Sequence, residues 1–255
     1  MNVFGSLVIC TALLGFVFAL PLVTREETDP ELTAGYVEGD MILEVNSRNG
    51  MRKEVYRWPN NTLYYKFHTQ FDDDHRSYIL RGMQIIEEVS CVRFQEANED
   101  QPNFINITGL SGGCYSTVGY RNKGAQNYNL QLYPLDKGCF RMGTIVHELL
   151  HTLGFYHMQS SANRDDYVFI NETNVKDDKM HNFKKYDLSA VDDFGEEYDY
   201  ASVLHYSAFA FSANGEMTIV PLRDASAASV MGQRRGMTQG DINRLNLMYR
   251  CPVKV

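Results

Sequence analysis

The segment His147–His157, HELLHTLGFYH, restricts this chain more than any other stretch of its length. At about 100° per residue on a helix, Val146, Leu149, Leu150 and Leu153 share one apolar stripe. His147 and His151 fall about 40° apart on another face, one turn from each other, which is the spacing two imidazoles need to chelate one metal ion. Glu148 lies about 60° beyond His151, close enough to serve a water at that metal without being a ligand. Gly154 follows the last apolar position, where helices commonly end at positive φ, so the chain can turn and bring His157 to the same point. Three imidazoles leave a fourth position open, as in catalytic rather than structural zinc sites. Zinc lowers the pKa of a water there from about 16 to about 7, and Glu148 can take its proton during attack on a carbonyl.

Histidines, glutamate and glycine at these fixed spacings recur by chance in roughly one chain in ten thousand or fewer. His68, His75 and His181 stand alone and read as surface or satisfied core groups with no assigned role.

Composition bounds the rest. With 255 residues, 44% hydrophobic and 22% charged, the chain is long enough for a substantial core and is neither disordered nor a multi-span membrane protein. A net charge of −8 without a basic run argues against nucleic acid or an anionic membrane as partner. Residues Leu7–Leu20 form an uncharged apolar run, shorter than the roughly 20 residues a bilayer span requires. They read as a signal peptide cleaved after Ala19, with Val17 and Ala19 as the small residues at the cleavage site. Its removal takes Cys10 and leaves Cys91, Cys114, Cys139 and Cys251, an even set expected to form two disulfides in one of three pairings. Sequons at Asn60, Asn106 and Asn171 agree with secretion. Residues 20–48 carry seven carboxylates against Arg25 and Arg48, which reads as a propeptide cut by a trypsin-like protease near Arg48. The expected organisation is thus residues 1–19 signal peptide, 20–48 propeptide and 49–255 catalytic domain.

Within that domain, the alternating, aromatic Asn61–Phe67 predicts a strand. A helix is expected over Asp72–Ser90, with acidic residues at its start and Ile79, Met83, Ile86 and Val89 at helical spacing. Short strands follow at Val92–Gln95, Phe104–Thr108 and Tyr128–Tyr133. Thr238 and Asp241 predict a capping box for a closing helix. No repeat or linker intervenes, so one mixed α/β unit is expected.

The extended histidine motif is that of the metzincins, and the text around it narrows the choice. RWPNNTLYY at Arg57, GCYSTVGY at Gly113, NRDDYV at Asn163, YDYASVLHY at Tyr198, FSANGEMTIVP at Phe211 and GQRRGMTQGDINRLNLMYRC at Gly232 resemble the astacin-type zinc endopeptidases over nearly all of Asn49–Cys251. The resemblance implies an α+β, zincin-like fold: an N-terminal twisted sheet with helices, and a smaller C-terminal subdomain, flanking a cleft. It implies a minimal single-domain monomer acting on protein or peptide substrates in the extracellular space.

It also implies residue roles. His147, His151 and His157 match the zinc ligands and Glu148 the general base. Tyr206 matches the tyrosine that approaches the metal at rest, as a possible additional ligand, and then hydrogen-bonds the oxyanion. Cys91 would pair with Cys251, and Cys114 with Cys139. VEGDMIL at Val37 resembles the propeptide segment whose aspartate, here Asp40, ligates zinc in the zymogen. Two positions depart from the pattern. Leu204 stands where the family's turn beneath the metal has methionine, and Met158 replaces a glutamate that meets the mature amino terminus. The rival readings are a catalytically silent relative acting as a binding or adhesion module, against which intact Glu148, Tyr206 and the three histidines weigh, and a structural zinc protein, which would use four protein ligands.

Overall fold

A computed structural model describes residues 29–43, 54–68, 70–189 and 191–252. The expected signal peptide, residues 1–19, and the expected cleavage region around Arg48 fall outside the described residues. The disulfides are Cys91–Cys251 and Cys114–Cys139, the pairing that the resemblance implies.

A six-stranded mixed sheet and two long helices form the first half. Its strands are β1 (Met41–Ile42), β2 (Thr62–Phe67), β3 (Arg93–Glu96), β4 (Phe104–Thr108), β5 (Cys114–Thr117) and β6 (Ala125–Leu130), ordered β1-β5-β6-β4-β2-β3. All neighbours run parallel except β5, which is antiparallel to β6. Leu63 and Tyr65 of β2 and Ile105 and Ile107 of β4 point inward at every second residue, as the alternation predicts. Helix α1 (Asp73–Val89) buries Ile79, Met83 and Ile86, and the Asp72 side chain caps it by accepting from the His75 amide at 2.9 Å.

The strand β6 begins three residues earlier than its sequence suggests. Its Ala125–Asn129 stretch pairs with the whole of β4, so the neighbour sets its register although the outward residues are polar. Strand β5 carries no apolar alternation, because Ser116 and Thr117 are themselves buried. The edge strand β1 comes from the N-terminal segment and adds to β5 in parallel, Met41 opposite Ser116.

Helix α2 (Met142–Leu153) lies beneath the sheet. The stripe Val146, Leu149, Leu150 and Leu153 enters the main core, while its histidine face is equally buried beneath residues 29–43 and the second half of the chain. Its last carbonyls are held from outside the helix: the sole tryptophan, Trp58, donates Nε1–H to Thr152 O at 2.8 Å, and Tyr249 donates its hydroxyl to Leu153 O at 2.8 Å. Gly154 ends the helix at φ 113°. The chain then forms the antiparallel pair β7 (Val168–Ile170) and β8 (Ile219–Pro221), short 3-10 turns, and α3 (Gln239–Met248). A second, smaller core containing Val168, Phe183, Tyr206, Phe211 and Ile219 gathers in this half. The capping box of Thr238 and Asp241 forms as predicted. No helix among the described residues is long and apolar enough to cross a membrane.

Candidate metal centre and catalytic cleft

The turn at Gly154 brings His157 back over α2. The donor atoms of His147, His151, His157 and Asp40 all lie within 4.8 Å of one another, and all four residues are buried. The nearest approaches are His151 Nε2 to His147 Nε2 at 2.9 Å, His147 Nε2 to Asp40 Oδ2 at 3.2 Å and His157 Nε2 to Asp40 Oδ2 at 3.4 Å.

Each imidazole has its other nitrogen occupied. His147 Nδ1 bonds Val203 O at 2.8 Å, His151 Nδ1 bonds Phe155 O at 2.7 Å and His157 Nδ1 bonds Glu38 Oε2 at 2.9 Å. An acceptor on every Nδ1 fixes the tautomer in which Nε2 turns its lone pair inward. Three inward lone pairs and a carboxylate make a donor set that only a cation reconciles. His157 Nε2 and Asp40 Oδ1 have no hydrogen-bond partner among the described residues, and three nitrogens with one oxygen match the tetrahedral preference of zinc. Electrostatics agree. Burial works against a charge on His157, yet Asp40 and Glu38 raise its pKa to about 9. Burial would raise Asp40 too, but the charge of His157 and the hydrogen bond of His147 pull it far below the usual carboxylate range. His151 moves the other way: burial and the neighbouring His147 and His157 push it well below its usual pKa.

The supports of the site run outward into the fold. Asp241, at the start of α3, accepts from Ser202 Oγ at 2.6 Å and from the Val203 amide at 2.9 Å, fixing the carbonyl that orients His147. The Met158 amide donates to Leu204 O at 3.0 Å and the Tyr206 amide to Gln159 Oε1 at 3.0 Å, so the strand of chain carrying Tyr206 is fastened to the one carrying His157. Leu204 is 3% exposed and packs in the main core, while Met158 packs in the second core.

Glu148 is buried beside the cluster and its Oε2 accepts a short hydrogen bond from the Ser116 hydroxyl of β5. Burial first, then the charges of Asp40 and Glu31, push its pKa well above the ordinary range. The Tyr206 ring lies tilted against His157 with ring centroids 4.7 Å apart, and its hydroxyl donates to the Glu38 carbonyl. The phenol is raised well above its usual pKa by burial and by Glu38 and Asp40, so it keeps its proton and can donate. His75 is held between Asp72 and Tyr133 O, away from the cluster.

Several contributors to the cleft escape motif reading. Ser116 sits in a strand without periodicity. The N-terminal segment brings Glu38, at φ 49°, directly before Gly39, at φ 88°, and this tight reversal presents Glu38 and Asp40 together. The same segment inserts Glu31, which is 1% exposed and meets Arg234 through Nε at 2.8 Å and Nη2 at 2.5 Å, with Thr144 Oγ1 at 2.6 Å. Arg234 lies within GQRRGM, where sequence alone gives no reason to single it out.

Known proteins agree with this geometry. Residues 50–250 match the family model "Astacin (Peptidase family M12A)". The chain is 48% identical over 242 residues to seminal metalloprotease 1 of Drosophila melanogaster, covering 93% of this chain and 95% of that protein. It is 36% identical to zinc metalloproteinase nas-4 of Caenorhabditis elegans, covering 89% and 73%. Among solved structures, high choriolytic enzyme 1, a hatching-enzyme zinc protease of Oryzias latipes, superposes with a TM-score of 0.68 at 32% identity, covering 77% of this chain and 94% of that one. With a matching fold, a donor set suited to zinc and a 48% identical relative matched over 95% of its length, the chain belongs to the astacin family of zinc metalloproteases.

Proposed function

We propose that the chain is a secreted endopeptidase made as a zymogen, in which residues 20–48 are the propeptide and 49–255 the catalytic domain. The observation that carries this reading is the docking of residues 29–43 across the cleft, with Asp40 among the three histidines and the Glu38 carbonyl on the Tyr206 hydroxyl. That arrangement blocks both the metal and the oxyanion donor at once, and it is reversible by one backbone cut.

His147, His151 and His157 would hold zinc, which supplies Lewis-acid polarisation of the scissile carbonyl and acidifies an attacking water. Once the propeptide leaves, Glu148 is relieved of part of its burial and of the repulsion of Asp40 and Glu31, and it is placed to accept a water's proton and pass it to the departing amine. Ser116 orients Glu148 through its hydroxyl. Tyr206, freed from Glu38, donates its hydrogen bond to the oxygen on which charge develops. The substrates are proteins or peptides, and the activator is a trypsin-like protease cutting near Arg48. Secretion is supported by the N-terminal apolar run and sequons, and by relatives named for seminal and hatching roles.

The test is to express the full chain in a secretory host, cut it with trypsin and measure peptidase activity and metal content. One zinc per chain, activity lost to a chelator, and a Glu148→Gln variant that keeps zinc while turnover drops by about 10² to 10⁴ are expected. Normal turnover in that variant would remove Glu148 from its role.

A further inference from the structure

A histidine that binds a metal through one nitrogen depends on the acceptor at the other, which fixes its orientation and makes it a stronger donor. Two of the three acceptors here belong to the catalytic domain. The Val203 carbonyl is locked by Asp241, and the Phe155 carbonyl follows the rigid helix end at Gly154. The third does not. His157 Nδ1 bonds Glu38 Oε2 at 2.9 Å, and Glu38 lies on the segment that leaves on activation. Among the described residues, no group of the catalytic domain bonds that nitrogen.

Glu38 is costly to place where it is. It is 1% exposed, and its Oε1 has no hydrogen-bond partner among the described residues. A buried carboxylate is stable only if it faces compensating charge. Asp40, on the same segment, is equally buried. Two carboxylates from one short turn, one among the three Nε2 atoms and one behind the third imidazole, balance the charge of one divalent cation. The left-handed Glu38 and Gly39 form the reversal on which both side chains sit, Glu38 at His157 and Asp40 at His147.

We infer that Glu38 is a positioning residue of the metal centre, and that the propeptide retains zinc as well as blocking it, so that the zymogen binds the ion more tightly than the processed enzyme. The inference rests on the zymogen reading above. Glu38 supplies the outer carboxylate of His157 and half of the neutralising charge, and its departure leaves His157 to reorient.

The experiment measures the zinc dissociation constant of the uncut full chain by competition with a fluorescent chelator. Glu38→Ala is expected to weaken binding by about 10- to 100-fold, the usual effect of losing such a partner, with Glu38→Gln in between because an amide oxygen still accepts from Nδ1. Cobalt(II) in place of zinc should show a shifted visible spectrum in Glu38→Ala, reporting a reoriented ligand. Asp29→Ala serves as control: it removes a solvent-screened contact of the same segment that touches no histidine, and it should leave zinc affinity unchanged. Equal affinity in Glu38→Ala and parent would overturn the inference, as would an equal loss in Asp29→Ala, which would trace the effect to general docking. A parent that binds no zinc would instead remove the underlying metalloprotease reading.

Discussion

The contact between Glu31 and Arg234 gives the sharpest quantitative test of propeptide docking. The Glu31 carboxylate is 1% exposed and the Arg234 side chain 6%, so both charges are out of water, and the fork of Nε and Nη2 holds the carboxylate in bidentate fashion. Burial alone would raise the carboxyl, yet Arg234 holds it far below its usual range. Removing one partner of such a pair leaves an uncompensated buried charge and costs about 3–5 kcal/mol. At about 1.4 kcal/mol per tenfold, a synthetic peptide of residues 29–43 carrying Glu31→Ala should inhibit the mature enzyme between about a hundredfold and several thousandfold more weakly than the parent peptide. Asp29 provides the contrast. It also bonds an arginine, Arg141 at 3.1 Å, but the two side chains are 33% and 35% exposed. Solvent-screened pairs contribute about 0.2–1 kcal/mol, so Asp29→Ala should cost less than about tenfold. Inhibition constants against parent and Arg234→Ala enzyme complete a double-mutant cycle, in which the Glu31 effect should largely vanish on the arginine variant. A loss below tenfold for Glu31→Ala, or no difference between the two peptide variants, would refute the reasoning that burial sets these magnitudes.

Three further outcomes follow from the same geometry. Asp40→Ala should give an uncut chain with measurable peptidase activity, because its carboxylate is the blocking donor; an uncut variant as silent as the parent would contradict this. Leu204→Met should change kcat/KM by less than tenfold, since exchanges between these residues in a core cost less than about 1.5 kcal/mol, whereas a gain of a hundredfold would mean that a sulfur is needed there. Gly143→Ala should lower the unfolding midpoint although alanine favours helices by about 1 kcal/mol. The added Cβ would lie 2.0 Å from the Arg234 carbonyl, a backbone atom that cannot give way, and overpacking of about 1–3 kcal/mol dominates; a raised midpoint in a thermal melt would contradict it.

The parts of the site that local rules govern were legible in advance. Helical spacing placed His147 and His151 on one face, and the glycine at position 154 announced the turn to His157. The capping box at Thr238 needed only two side chains three residues apart. Tyr206 was legible through family resemblance alone, because nothing in its neighbourhood distinguishes it from the other tyrosines. What sequence did not show are the groups whose roles depend on distant partners. Ser116 reaches Glu148 across the β5 edge, and Arg234 meets Glu31 across 203 positions. Strand β6 was misplaced for the same reason, since pairing with β4 rather than its own alternation decides where it starts. The cover over the histidine face of α2 was legible only through the resemblance of VEGDMIL, because it comes from a distant N-terminal segment.

The bond between Cys91 and Cys251 closes the stretch between them, which holds all three histidines, Glu148 and Tyr206, into a covalent ring. An endopeptidase at high concentration is exposed to its own kind, and a nick anywhere between those two cysteines leaves a single molecule, still joined through sulfur and still holding both walls of the cleft. The described N-terminal residues, 29–43, lie outside the ring and contain no cysteine, so a cut near Arg48 releases them outright. Gel migration separates the two kinds of cleavage: without reductant a self-nicked enzyme runs as one band, whereas activation sheds a fragment whether reductant is present or not.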